Sequence, residues 1–150
     1  MNRYSAEEQR NLGVVQNIFD PPPSFDYAAV IADDCVWWNA LAELPGAEGT
    51  TEHRGKARVL KILTGAGADY SSQGIDSYDM STRTYHNVIE ICDGAYVFRQ
   101  QLFRAKTHGG QNYENTYGFL FRFNADGKID RIWEHWDTLT AKRILFHGKG

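Results

Sequence analysis

Cysteine is nearly absent from this chain. Two thiols in 150 residues, Cys35 and Cys92, have no spacing that makes a disulfide framework or a zinc site. Both sit at edges of apolar runs, which places them as small reduced core residues. A strong charge of one sign is also missing. The formal net charge is −3, the pI is near 5.9 and the 16 basic residues are scattered, so no footprint for nucleic acid is expected. No apolar run approaches the roughly 20 residues that cross a bilayer, and no membrane partner is expected. The opening MNRYSAEEQR is polar and acidic, unlike a signal peptide, which gives a cytoplasmic location as the expectation. The five histidines show no HxxxH or HxH spacing, so no metal is expected. Gly65-Ala66-Gly67 follows a helix and lacks the GxGxxG spacing, and no serine lies in a GxSxG elbow. Neither a dinucleotide nor a covalent nucleophile is indicated, and no cofactor is expected.

Rings are what the chain has in excess. Aromatic residues make up 13%, with four Trp, eight Tyr and eight Phe, more than a small core requires. Some are expected to line a cavity. No repeat, low-complexity stretch or linker interrupts residues 1–150, which read as one domain. A chain of this length buries about 68–70% of its unfolded surface, enough for a core with a pocket beside it.

Ser5-Ala6-Glu7-Glu8 is a capping-box pattern opening a helix from Ala6 to about Ile18, with Leu12, Val15 and Phe19 near one face. Pro21-Pro22-Pro23 stops it. A short helix over Phe25–Ala32, a strand at Cys35–Asn39, a loop over Leu41–Arg54 and a helix at Gly55–Leu63 follow, the last closed by Gly65 and Gly67. A polar loop covers 68–78. The texture then turns to strand. Asp79–Cys92 and Ala95–Lys106 flank Asp93-Gly94, a hairpin signal, and Tyr113–Phe123 and Lys128–Asp137 flank Asn124-Ala125-Asp126-Gly127. Thr138–Phe146 closes as helix or extension. Helices segregated from a four-strand antiparallel meander make an α+β domain, and a bent meander under helices leaves a cone open at one end.

Period-2 alternation assigns the faces. Trp37 and Asn39 share one side of their strand and Trp38 takes the other. Val97, Arg99, Gln101 and Phe103 form one row, as do Ile129, Arg131, Trp133, His135 and Asp137; a β-bulge would swap such phases. Asp137 stands out as a carboxylate among rings, where lost hydration raises its pKa toward a useful value for a general base. The alternative is that it caps the segment beginning at Thr138. Arg99 reads as an orienter of that carboxylate or as the partner of a strand acid such as Glu114. His135 is either a proton carrier or a packed core residue, and His86 is a pocket candidate on the same grounds. His53 and His108 read as loop surface and His147 as tail. Trp37, Trp38, Tyr27, Tyr85 and Tyr117 read as rings that stack an aromatic substrate or as core packing, and Tyr27 also offers a phenol donor to an oxyanion.

The element order, the Gly55-Lys56-Ala57 helix start and the Asp126-Gly127-Lys128-Ile129…Asp137 ending resemble the SnoaL-like branch of the nuclear transport factor 2-like superfamily over nearly the whole chain. The resemblance implies a cone-shaped, curved antiparallel sheet with N-terminal helices covering a central pocket. Relatives include polyketide cyclases, ketosteroid isomerases, dehydratases, lyases, limonene epoxide hydrolase and non-catalytic binding proteins. Against the hydrolase, Trp37-Trp38-Asn39 is similar to its aromatic-x-Asn motif, Arg99-Gln100-Gln101 keeps the Arg but replaces the Asp of Arg-x-Asp, and Asp137 falls on its last acid. Gln101 cannot donate a proton to an epoxide oxygen, which argues against that reaction. The resemblance implies a cofactor-independent acid–base enzyme of cyclase, isomerase, dehydratase or lyase type, acting on a hydrophobic, aromatic or polycyclic small molecule. Asp137, Arg99 and His135 are then the catalytic candidates, and Asn39, Gln101, Trp37, Tyr27, His86 and Trp133 the substrate-binding ones. An epoxide hydrolase with altered acid, or a binding or dimerisation module, is the alternative. The resemblance also implies a homodimer packed through the open sheet face, with Phe98, Phe119 and Phe121 as residues in need of cover.

Overall fold

The computed structural model describes residues 3–42, 49–65 and 75–146. Pro45, Gly46, Gly67, His147 and most of the polar loop at 68–78 lie outside the described residues. Helix α1 spans Ala6–Phe19 and α2 is a single turn, Tyr27–Val30. Strand β1 covers Ile31–Trp38, β2 Glu52–Arg54, and helix α3 Lys56–Leu63. Four long strands follow: β3 (Tyr78–Asp93), β4 (Tyr96–Thr107), β5 (Asn112–Phe123) and β6 (Ile129–Trp136). Helix α4 (Thr138–Ala141) runs into a π-helical turn at Lys142–Phe146.

Local chemistry explains these bounds. The capping box at Ser5 forms in full: the Glu8 N–H donates to the serine hydroxyl and the Ser5 N–H to the Glu8 carboxylate at 2.8 Å. The same carboxylate accepts from the Gly94 N–H at 3.0 Å, pinning α1 to the β3–β4 hairpin and, with the Ser5 bonds, holding its pKa below the usual carboxylate value. Gly94 (φ 55°) and Gly127 (φ 72°) take the left-handed conformation that the two tight turns need. Asn124 closes the second turn by accepting from the Asp126 and Lys128 N–H groups.

One six-stranded, curved and unclosed sheet results, in the order β2-β1-β6-β5-β4-β3. The β3–β4–β5–β6 meander is antiparallel throughout, while β1 lies parallel to β6 and carries the three-residue β2 on its other side. The fold is therefore α+β, as the order of elements implied. The concave face buries Val97, Arg99, Gln101, Phe103 and Ala105 of β4 and Tyr113, Asn115, Tyr117, Phe119, Phe121 and Phe123 of β5. Helix α1 adds Val15 and Ile18, and α3 adds Val59. Both cysteines are buried and unpaired; burial pushes Cys35 up to about 12 and Cys92 up to about 11, so both stay thiols.

Three expectations need correcting here. The helix expected over Phe25–Ala32 is the single turn α2, and Ile31 and Ala32 open β1, which starts ahead of Cys35. Leu41–Arg54 is not wholly loop: Glu52–Arg54 pairs with β1. Phe119 and Phe121 do not need cover, because both lie buried on the concave side, and Phe98 alone of the three sits half-buried on the convex row.

Candidate active site

The phase of β6 decides which acid faces the concavity. Arg122 pairs with Arg131, yet the next residue, Phe123, pairs with Ile129, so Asp130 is an extra residue in the strand. Such a bulge reverses the alternation beyond it. Its carboxylate is fixed by the Arg122 Nε, which donates to Asp130 Oδ1 at 2.8 Å. Ile129 and Ile132, three apart, both turn inward, and Glu134 follows Ile132.

The row read from strict alternation is thereby corrected. Trp133 is half-buried on the convex face, near Arg131 and Arg122. His135 is exposed, its ring 5.1 Å from that of Trp38 on the same outer side. Asp137 lies past the strand and exposed, where it is the N-cap of α4: its carboxylate accepts from the Thr140 N–H at 3.0 Å and hydroxyl at 2.7 Å. Those bonds lower its pKa, the opposite of the rise expected of a buried base.

Glu134, opposite Phe119, is the acid of β6 that faces inward, in place of Asp137. It is 9% exposed, and its Oε2 accepts from the indole Nε1–H of Trp37 at 2.9 Å. Burial pushes its pKa up to about 8, only partly offset by that one hydrogen bond. Among the described residues no guanidinium relieves it. Arg99, buried one strand beyond Phe119, donates through Nε to Gln101 Oε1 at 2.6 Å and through a terminal nitrogen to Glu90 Oε2 at 3.3 Å. The ring of Phe19 covers it, 4.3 Å from centroid to guanidinium carbon. The acid paired with Arg99 is thus Glu90, and Glu114 pairs instead with Arg104 on the outer row.

Beside Glu134 the concave face carries a chain of phenols. Tyr117 Oη lies 2.9 Å from Tyr78 Oη and 2.8 Å from Tyr113 Oη, and the Asn115 amide donates to Tyr113 at 2.8 Å. Desolvation raises all three phenol pKa values, and the nearby Glu134 carboxyl adds to the rise. These hydroxyls stay protonated and can act as hydrogen-bond donors. Trp136 stacks on Tyr117 and donates its indole N–H to the Asn39 carbonyl at 2.6 Å.

The remaining predicted residues divide. Trp37, Asn39, Gln101 and Arg99 are buried, with Trp37, Gln101 and Arg99 on the concave rows, although the Asn39 side chain is occupied by the Leu41 N–H at 3.1 Å. Tyr27 donates to the Ile18 carbonyl at 3.2 Å and so pins α2 to α1. His86 is paired opposite Leu102 on the convex register, with its Nε2 2.9 Å from the Thr84 hydroxyl. It borders an open cleft of about 710 Å³ between α1 and β3, lined also by Gln16, Asp20, Arg83, Tyr85 and Arg99. Among the described residues no three His, Cys, Asp or Glu side chains converge as metal ligands, and no helix is long and apolar enough to cross a membrane.

Sequence reasoning missed Glu134 and His53. The burial of both Ile129 and Ile132, three apart in one strand, reveals the bulge that turns Glu134 inward, and the alternation alone carries no such mark. His53 had no mark either, because a three-residue strand is too short to show a period.

No family model and no curated protein matches the chain. Solved structures do. An NTF2-like protein from Burkholderia xenovorans LB400 is 21% identical, with 91% of this chain and 95% of that one covered and a TM-score of 0.66. A provisionally assigned SnoaL-like polyketide cyclase from Jannaschia sp. CCS1 is 14% identical, covering 98% and 99%, TM-score 0.67. An LEH-like epoxide hydrolase from M. tuberculosis is 19% identical, covering 95% and 93%, TM-score 0.59. At these identities the likeness is one of fold: a curved, unclosed six-stranded sheet with an N-terminal helix.

Proposed function

Starting from the nuclear transport factor 2-like fold, we propose that this chain is an acid–base catalyst of proton transfer on a hydrophobic, carbonyl-bearing small molecule, with Glu134 as the proton acceptor and donor. The observation that carries this reading is a buried carboxyl without a cation, raised to about 8, on a concave face lined by rings and phenols. At pH 7 about one Glu134 in ten is ionised. That fraction is a far stronger base than an ordinary carboxylate, as Brønsted behaviour requires for an activated C–H. Carboxylate Oε takes the proton, the electron pair moves into the carbonyl to give an enolate, and the new carboxylic acid returns the proton elsewhere on the same molecule. Trp37 fixes the rotamer of Glu134 through its indole N–H. The two bonds within the Tyr78–Tyr117–Tyr113 chain use two of its three hydroxyl hydrogens, which leaves one to donate to the developing oxyanion. Cyclisation, isomerisation and dehydration begin with this step, and retro-aldol cleavage with removal of an O–H proton by the same base.

A cyclic β-diketone in deuterated water tests it. The protein is expected to accelerate exchange of the α C–H, and Glu134→Gln to reduce that rate by roughly 10²–10⁴-fold with the fold intact. Equal rates for both proteins contradict the reading. A second reading, a binding module, is favoured by the neutralised Arg99 and by the stacking of Tyr117 with Phe119 and Trp136 on the concave side. Saturable binding of the diketone without exchange supports that one. The homodimer expected from the resemblance belongs to the convex face in this proposal, where exposed Ile91 pairs with Phe98; light scattering in solution checks it.

A further inference from the structure

His53 stands directly opposite Trp37 in the β1–β2 ladder, and directly opposed residues share a face of a sheet. Trp37 points into the concavity and binds Glu134, so His53 belongs to the same face. The residue is 4% exposed. Its Nδ1 lies 3.4 Å from the Nε of Arg58 on α3. A guanidinium only donates, so Nδ1 accepts, and a neutral imidazole then carries its proton on Nε2. Burial and the Arg58 charge both lower the pKa of the ring, consistent with that neutral form. Nε2 finds no hydrogen-bond partner among the described residues. A buried donor left unpaired is disfavoured, and such a group in a fold is explained by something that fills the gap.

We propose that His53 is a ligand-contacting residue of the concave site, offering its Nε2–H to the carbonyl oxygen of the substrate whose carbon acid faces Glu134. This deepens the acid–base reading and rests on it. The strands of His53 and Glu134 are separated by β1, which puts their backbones about 10–12 Å apart at ordinary strand spacing. Trp37, opposite His53 in the ladder and bonded to Glu134, lies between the two side chains, so its indole is the floor on which the carbonyl would rest. The substrate class narrows accordingly to ketones and related carbonyl compounds that enolise. As the C–H proton moves to Glu134, negative charge gathers on the oxygen that His53 holds. The donor is an imidazole rather than an imidazolium, so it stabilises the enolate by a hydrogen bond without giving up its proton.

Binding of p-nitrophenolate, an aromatic oxyanion that needs no turnover, tests the proposal. His53→Leu is expected to weaken binding tenfold or more. His53→Gln, whose amide nitrogen falls near the site of Nε2, is expected to stay within about threefold of the parent. Nitrogen-15 spectra of the ligand-free protein are expected to show His53 protonated at Nε2 and not at Nδ1, with the Nε2–H resonance moving when p-nitrophenolate is added. The spectra decide the matter even where His53→Leu does not fold. Unchanged affinity in His53→Leu, a loss in His53→Gln equal to that in His53→Leu, protonation at Nδ1, or no saturable binding to the parent protein overturns the proposal. Glu134→Gln separates the two readings: it is expected to slow α C–H exchange by roughly 10²–10⁴-fold while p-nitrophenolate still binds through His53. Retained exchange in Glu134→Gln counts against the base and not against the donor.

Discussion

Replacing Glu134 by Gln removes one titration from the folded protein and leaves its shape. The native carboxyl is raised to about 8, whereas the unfolded chain titrates near the ordinary 4.5. Below the lower value both states hold the proton and the carboxyl contributes nothing to pH dependence. Between the two values the unfolded state releases a proton that the native state keeps. Stability therefore falls as pH rises, by about 1.4 kcal/mol per pH unit, and levels off above the native value. Between about pH 5 and about pH 8 the loss amounts to ~4 kcal/mol. The amide introduced by Glu134→Gln still accepts from the Trp37 indole and has nothing to titrate. Urea unfolding of both proteins across that range is the assay. All other ionisable groups are shared, so they cancel in the difference. The variant is expected to gain on the parent from near zero at about pH 5 to ~4 kcal/mol at about pH 8. A constant offset across the range refutes a raised Glu134 and with it the strong base.

Three further outcomes follow from the same geometry. Trp37→Phe deletes the indole N–H donor to Glu134 Oε2, the contact that lowers its pKa, so the carboxyl is expected to titrate above the parent value in a carbon-13 pH titration. Tyr117→Phe removes the hydroxyl that joins Tyr78 to Tyr113; with two buried phenols losing a partner, urea unfolding is expected to report a loss of about 1–3 kcal/mol. Asp137→Ala takes away the cap of α4 and is expected to lower the melting temperature while leaving α C–H exchange unchanged, because that carboxylate lies outside the concavity. Exchange lost in Asp137→Ala with the fold intact returns the base to residue 137.

The architecture was legible because its signals are local and redundant. Turn residues at 93–94 and 124–127, the capping box at Ser5 and unbroken alternation along β4 and β5 each fixed an element, and together they fixed a meander under helices. Val97, Arg99, Gln101 and Phe103 share one buried row, as the alternation implied. The site's acid was not legible, because a single inserted residue inverts every face beyond it and period-2 reasoning carries no marker for the insertion. Asp130 moved the concave position from Asp137, His135 and Trp133 to Glu134. The parallel β1–β6 pairing, which brings Trp37 to Glu134 across 97 residues of sequence, leaves no local trace either. His53 was hidden by β2, whose three residues look like part of a polar loop until they pair.

Selective carbon-13 labelling of glutamate δ-carbons, with Glu134→Gln to assign the resonance, measures the titration of this one carboxyl directly. A midpoint near 8 is expected of an acid shut into the concave face with one indole for company. A midpoint at the ordinary 4.5 means that water reaches Glu134 freely, and contradicts its role as the site's proton carrier.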